Sequence, residues 1–167
     1  MSGPAGDGPL AAPVDDRYWE DYEPGTVHEC GSVTVTAEQI VEFATQFDPQ
    51  TLHVDPAAAA QGPFGGLIAS GWHTTGLMMR LLADHYLSHV ASLGSPGIDE
   101  LRWVRPVRPG DTLRVRATVL ETRRSQSKPD RGLVRTAVEM TNQDGDVVLR
   151  LSALNFLRAR HLDPQPD

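Results

Sequence analysis

The stretch FDPQTLHVDP, residues 47 to 56, sets Asp48 and His53 five positions apart with Pro49 between them. A carboxylate near an imidazole can position a water and take a proton from it, because burial and the mutual influence of the two groups can tune either toward neutrality. The fixed backbone at Pro49 would hold both side chains toward one point. The same residues also suit a plainer role, since an aspartate before proline often caps a turn and a lone histidine is more often structural than catalytic. A second group lies downstream in ASGWHT. With Ser70 as a helix cap, the first free backbone N–H groups are those of Gly71, Trp72 and His73. Such donors, backed by the positive end of the helix dipole, can bind the oxygen of a developing enolate. Glycine at position 71 permits close approach of a thioester carbonyl, and equally it permits tight packing against a sheet.

These groups can act together only if the flanking elements bring them to one place. In GTVHECGSVTVTAEQ, Val33, Thr34 and Val35 predict an early strand. Thr36 and Gln39 form a capping box that opens a helix with Ile40, Val41, Phe43, Ala44 and Phe47 as apolar positions. Pro49 ends that helix at Phe47 or Asp48, and Asp55 followed by Pro56 starts another. Asp48 and His53 thus fall in a constrained connector rather than on a helix face. From Trp72 to Val90 apolar residues occupy more than one stripe, which predicts a long enclosed helix from about Ser70 to Val90, stopped by Gly94 and Pro96. A shorter strand around Ile98 to Val104 is closed by the turn residues of RPGD. Three alternating segments follow, with Leu113, Val115, Ala117 and Val119 on one face of the first and Val134, Thr136, Val138 and Met140 on one face of the second. Val147, Leu149, Leu151 and Ala153 share a face of the third, and NQDG supplies the hairpin turn before it. An antiparallel sheet wrapped around the long helix is the simplest way to bury that helix. His85 and His89 have a spacing compatible with a metal, but with no third ligand in view they read as two histidines on an exposed helix end.

A chain of 167 residues that is 40% hydrophobic suits one domain. Its sole cysteine, Cys30, leaves no intrachain disulfide and no thiolate cluster for a metal, and a reducing, cytoplasmic setting fits. No apolar run approaches the ~20 residues that span a bilayer, so no membrane association is expected. Residues 1–16, rich in Gly, Pro, Ala and Asp, read as a flexible tail, residues 17–158 as the domain, and residues 159–167 as a second tail. The net charge of −7 argues against nucleic acid as a partner. Charge is uneven, however: residues 102 to 135 hold ten of the 15 Lys and Arg against three acids. That stretch forms either solvated strand faces or an attractor for a phosphorylated ligand or acidic carrier protein.

FDPQTLHVDPAAAA, GGLIASGWHTTGLMMRLL and RWVRPVRPGDTL, taken in order, resemble the signature segments of the MaoC-like acyl dehydratases, the (R)-specific enoyl-CoA hydratases. The resemblance covers roughly residues 18 to 158. It implies an α+β hot-dog fold, a single domain with an antiparallel β-sheet wrapped around a long central α-helix. By the same resemblance Asp48 and His53 are the catalytic dyad and Gly71 is the backbone donor to the thioester oxygen. Gln50, Ser70, Trp72 and His73 are the substrate-binding residues expected around them. Where the family commonly reads Asp, any residue, Asn, Pro, an aliphatic residue and His, this chain reads DPQTLH, and Gln50 can supply the amide hydrogen bonds of the missing Asn. The implied reaction is hydration of a trans-2-enoyl thioester, with thioester cleavage or non-catalytic acyl-thioester binding as alternatives. It requires no metal or cofactor, coenzyme A or phosphopantetheine entering as part of the acyl thioester substrate. The implied assembly is a homodimer or a dimer of dimers, and an acyl carrier protein is a further candidate partner. Tunnel depth would follow from the packing of Trp72, Met78, Met79 and Leu82.

Overall fold

A computed structural model describes residues 10–162. Strand β1 (Val27–Thr34) is followed by helices α1 (Ala37–Phe47), α2 (Thr51–Val54), α3 (Pro56–Ala60) and α4 (Gly71–His85). Strands β2 (Gly97–Trp103), β3 (Thr112–Arg124), β4 (Arg131–Thr141) and β5 (Val147–Arg158) complete the chain. The strands form one antiparallel sheet in the order β1-β3-β4-β5-β2, so β1 and β2 are its edges.

The predicted faces carry the core. Leu113, Val115, Ala117 and Val119 of β3 and Val134, Thr136, Val138 and Met140 of β4 are all buried, and Leu149 and Leu151 of β5 join them. Strict alternation over these lengths commits one face to the helix side, because a one-residue slip would turn every apolar side chain to water. The NQDG turn closes with Gly145 at φ 81°, a conformation glycine adopts without steric cost. Against this face lie Met78, Leu81 and Leu82 of α4.

Two elements depart from expectation. Helix α4 ends at His85, short of Gly94 and Pro96. The reason lies in residues distant in sequence: the buried Arg17 guanidinium donates to the carbonyls of His85 (3.2 Å) and Tyr86 (2.7 Å), and the Tyr22 hydroxyl donates to Tyr86 O (2.8 Å). These donors satisfy the orphan carbonyls that otherwise mark a helix end. In α1, Ile40 and Ala44 are buried, but Phe47 is 69% exposed and meets Phe43 with the rings tilted, 5.1 Å between centroids.

The tail expected over residues 1–16 is packed from Leu10 onward. Leu10 is buried, its N–H donates to His28 Nδ1, and Arg17 binds Ala12 O through Nε and Nη2. Residues 1–9 lie outside the described residues. At the other end Arg160 pairs with Asp16 and Asp21, so the packed unit runs past residue 158, while residues 163–167 lie outside the description. These ends show no apolar periodicity, and single anchors hold them. His89, expected at an exposed helix end, lies beyond α4 and binds Asp15 and Ala83 O. Among the described residues no helix is long and apolar enough to cross a membrane.

Candidate active site

Helix α1 opens as predicted, with the Thr36 hydroxyl and Gln39 amide in a reciprocal capping box, and Asp48 is its C-cap. Pro49 keeps the chain from continuing, and the single turn of α2 carries His53. His53 therefore sits on a four-residue helix, whereas Asp48 lies in the connector. Asp55 caps α3 by accepting from Ala58 N–H, which fixes the far side of the segment.

The two side chains converge. His53 is buried at 5% exposure, and its Nε2 lies 3.4 Å from Asp48 Oδ2. Its Nδ1 lies 2.7 Å from the carbonyl of Ile68. A carbonyl only accepts, so Nδ1 carries a proton, and in the neutral tautomer this fixes the Nε2 lone pair would face Asp48. Two acceptors then face each other beyond direct hydrogen-bond length, an arrangement that suits a donor shared between them.

Asp48 is held by its neighbours. Gln50 Nε2 donates to Oδ1 and Ser70 Oγ donates to Oδ2, each at 2.7 Å. These bonds, and to a smaller degree the imidazole, hold its carboxyl below the usual carboxylate range. Ser70 also caps α4, accepting from Trp72 N–H at 3.2 Å, so one buried hydroxyl ties the carboxylate to the helix start. Gly71 is the first residue of α4. Its N–H has no acceptor within the helix.

His53 and Gly71 line one cavity of about 280 Å³ with Phe64, Thr74, Trp103 and Val107 among the other lining residues. The remaining predicted residues lie elsewhere. Gln50 and Ser70 contact Asp48 rather than the cavity. Trp72 is 57% exposed and meets Trp103 edge-on, 5.2 Å between centroids. The His73 side chain turns away and stacks flat on Phe43 of α1 at 4.8 Å. Its Nδ1 is buried with no hydrogen-bond partner, and burial lowers its pKa. Met78, Met79 and Leu82 line a separate groove of about 200 Å³ beside β2 and β5.

Trp103 and Thr74 escaped the sequence reading. A Cβ built on Gly71 would fall 2.4 Å from Trp103 Cδ2 and Cε2. Glycine at this position is thus required by an indole ring, which is the packing role weighed above. The signal in sequence was only a tryptophan next to VRPVRPGD. Of the basic stretch, Arg105 reaches the cavity wall. Arg116, Arg131 and Arg135 pair with carboxylates, while Arg108 donates to the Phe64 carbonyl. Among the described residues no group of three or more His, Cys, Asp or Glu is placed to hold a metal.

The family model for the MaoC like domain matches residues 22–143. The 3-hydroxyacyl-thioester dehydratase Z of Mycobacterium tuberculosis is 42% identical over 88 residues, 52% of this chain and 57% of that protein. The chain thus spans little more than half the length of that relative. Among solved structures, the MaoC-like dehydratase from Rhodospirillum rubrum superposes with a TM-score of 0.81 at 40% identity, covering 87% of this chain and 99% of the other. The R-hydratase PhaJ1 from Pseudomonas aeruginosa in the unliganded form gives 0.71 at 27% identity, covering 90% and 94%. The fold is the hot-dog fold, an α+β single domain.

Proposed function

The chain belongs to the MaoC-like family, and on that footing we propose that it is a hydratase/dehydratase that adds water reversibly to a trans-2-enoyl thioester, giving a 3-hydroxyacyl thioester. The observation that carries this reading is the convergence of His53 Nε2 and Asp48 Oδ2 at 3.4 Å, with Nδ1 held on Ile68 O, in a site whose cavity wall includes Gly71. A water donating to both acceptors has its oxygen lone pairs free for C3. As the C–O bond forms, His53 Nε2 takes one water proton, and the resulting imidazolium is stabilised by the ionised Asp48 beside it. The Gly71 N–H polarises the thioester carbonyl, so electrons displaced from the double bond collect on oxygen. Collapse of that enolate takes the proton back from His53 at C2. Ser70 and Gln50 keep the carboxylate oriented and ionised throughout.

Coenzyme A or a carrier-bound phosphopantetheine would enter as part of the substrate. Arg105, at the cavity wall and 3.5 Å from Asp146, is the nearest candidate of the basic stretch for its phosphates. A cytoplasmic setting suits a chain whose one cysteine is a buried free thiol. We expect a homodimer or a dimer of dimers. Edge strand β2 pairs only with β5, and Met79, Ile98, Trp103 and Val104 stand exposed on it and around it. A monomer by light scattering at micromolar concentration would overturn that expectation.

The test is decay of the enoyl-thioester absorbance when the protein is mixed with crotonyl-CoA. Asp48→Asn and His53→Ala should each slow the decay at least ~100-fold, the low end for losing acid–base catalysis. Folded wild-type protein without turnover across the trans-2-enoyl series would sink the reading, and free-thiol release from acyl-CoA would mark thioester cleavage in its place.

A further inference from the structure

The 280 Å³ cavity has to hold the reacting end of the thioester and whatever acyl group follows it. Trp103 is the largest side chain on its wall. Its position is built rather than incidental. The indole N–H donates to Thr75 Oγ1 at 3.1 Å, the ring lies against the Gly71 Cα, and Trp72 closes on it edge-to-face. Thr75 Oγ1 in turn donates to the Gly71 carbonyl at 2.8 Å. The indole is therefore fastened to the same helical turn that presents the Gly71 amide, although it comes from the sheet edge. A bulge between Asp99 and Arg102, with Glu100 at φ 56°, precedes it on β2. Bulges beside functional sites commonly re-aim a side chain.

We infer that Trp103 is the specificity-determining wall that sets how long an acyl chain the site accepts, an inference that rests on the hydratase reading. With the thioester oxygen at the Gly71 amide, a wall anchored to the same turn stands at a fixed distance from C1. Chain growth then meets the ring after a set number of carbons. A pocket boundary discriminates about 10- to 200-fold for one methylene.

The experiment compares wild type, Trp103→Phe and Trp103→Ala on crotonyl-CoA and trans-2-octenoyl-CoA, with circular dichroism to establish folding. Trp103→Ala should raise the octenoyl-to-crotonyl ratio of kcat/KM at least ~10-fold, and Trp103→Phe should move it less in the same direction. If Trp103→Ala does not fold, Trp103→Phe and Trp103→Leu decide. Calorimetric titration with butanoyl-CoA and octanoyl-CoA reads the same wall without chemistry. A shifted affinity ratio in a protein that never consumes the enoyl band would remove the hydratase reading and keep the wall. A ratio unchanged within about threefold in folded variants, by turnover and by titration, would overturn the wall whatever the reaction.

Discussion

Gly71→Ala separates two reasons for a glycine at the start of α4. If the position serves only substrate approach, an added methyl disturbs turnover and leaves stability alone. The structure requires more. The new Cβ would lie 2.4 Å from two Trp103 ring atoms and 2.9 Å from a third. Carbon atoms rest at ~3.5–4.0 Å, so the ring must withdraw by about 1 Å and give up its bond to Thr75. Overpacking of this kind costs roughly 1–3 kcal/mol. Alanine in a helix recovers up to ~1 kcal/mol relative to glycine. With that recovery the expected net loss is about 0–2 kcal/mol, or a Tm lower by up to roughly 8 °C for a chain of this size.

In a Trp103→Ala background the obstacle is gone, and the same Gly71→Ala change should be neutral or stabilising by up to ~1 kcal/mol. The coupling between the two substitutions should therefore reach about 1–3 kcal/mol. Urea unfolding of the four proteins of this cycle, at one protein concentration so that association contributes equally, measures it. An equal loss from Gly71→Ala in both backgrounds would refute the packing argument.

Three further outcomes are expected. Ser70→Ala removes the α4 cap and should cost ~1 kcal/mol by chemical denaturation. It also removes one of the two hydrogen bonds holding Asp48 low, so the acid limb of the kcat/KM profile should move to higher pH. Arg17→Met takes the donor from the carbonyls of Ala12 and His85, while Tyr86 O keeps the Tyr22 hydroxyl, and at ~1–3 kcal/mol for each unsatisfied group it should lower stability by about 2–6 kcal/mol without changing KM. His73 has a folded pKa below the ordinary 6.5 because burial disfavours its charged form. Its contribution is present above that value and lost as pH falls toward the lowered one, since the unfolded chain binds the proton first. His73→Phe should flatten the stability curve there, and a variant with the wild-type pH dependence would show that His73 is not its source.

The sheet was legible because alternation over β3 and β4 is long, so period alone assigned the buried face, whereas in β5 a register shift opposite Met140 and Thr141 buries Val148 and leaves Val147 half-buried. The end of α4 was not legible, because Gly94 and Pro96 are local stop signals and the actual stop comes from Arg17 and Tyr22, more than 60 positions upstream. Tunnel depth was expected to follow from the packing of Met78, Met79 and Leu82, and rotation about α4 sets those three at the groove beside β2 and β5. Asp48 and His53 could be picked out as candidates because prolines and caps punctuate them. Trp103 could not, since its partner Gly71 lies across the fold, and a glycine required by a distant ring looks in sequence like any other.

The departure at DPQTLH is where sequence and structure bear on one another most directly. Losing the usual Asn-Pro step could have cost the carboxylate an amide donor. In the folded chain Gln50 Nε2 meets Asp48 Oδ1 at 2.7 Å, while Gln50 N–H and His53 N–H bond to the carbonyls of Asp48 and Gln50. The longer side chain reaches back from the N-cap of α2, and Pro49 directly after Asp48 fixes the backbone that lets it do so. Orientation of Asp48 thus comes from Gln50 on one oxygen and Ser70 on the other, two residues that are not among those lining the cavity. On the proposed reading they act on the reaction only through the carboxylate. Altering either should change how the rate depends on pH more than which acyl chain is accepted, whereas altering Trp103 should do the reverse.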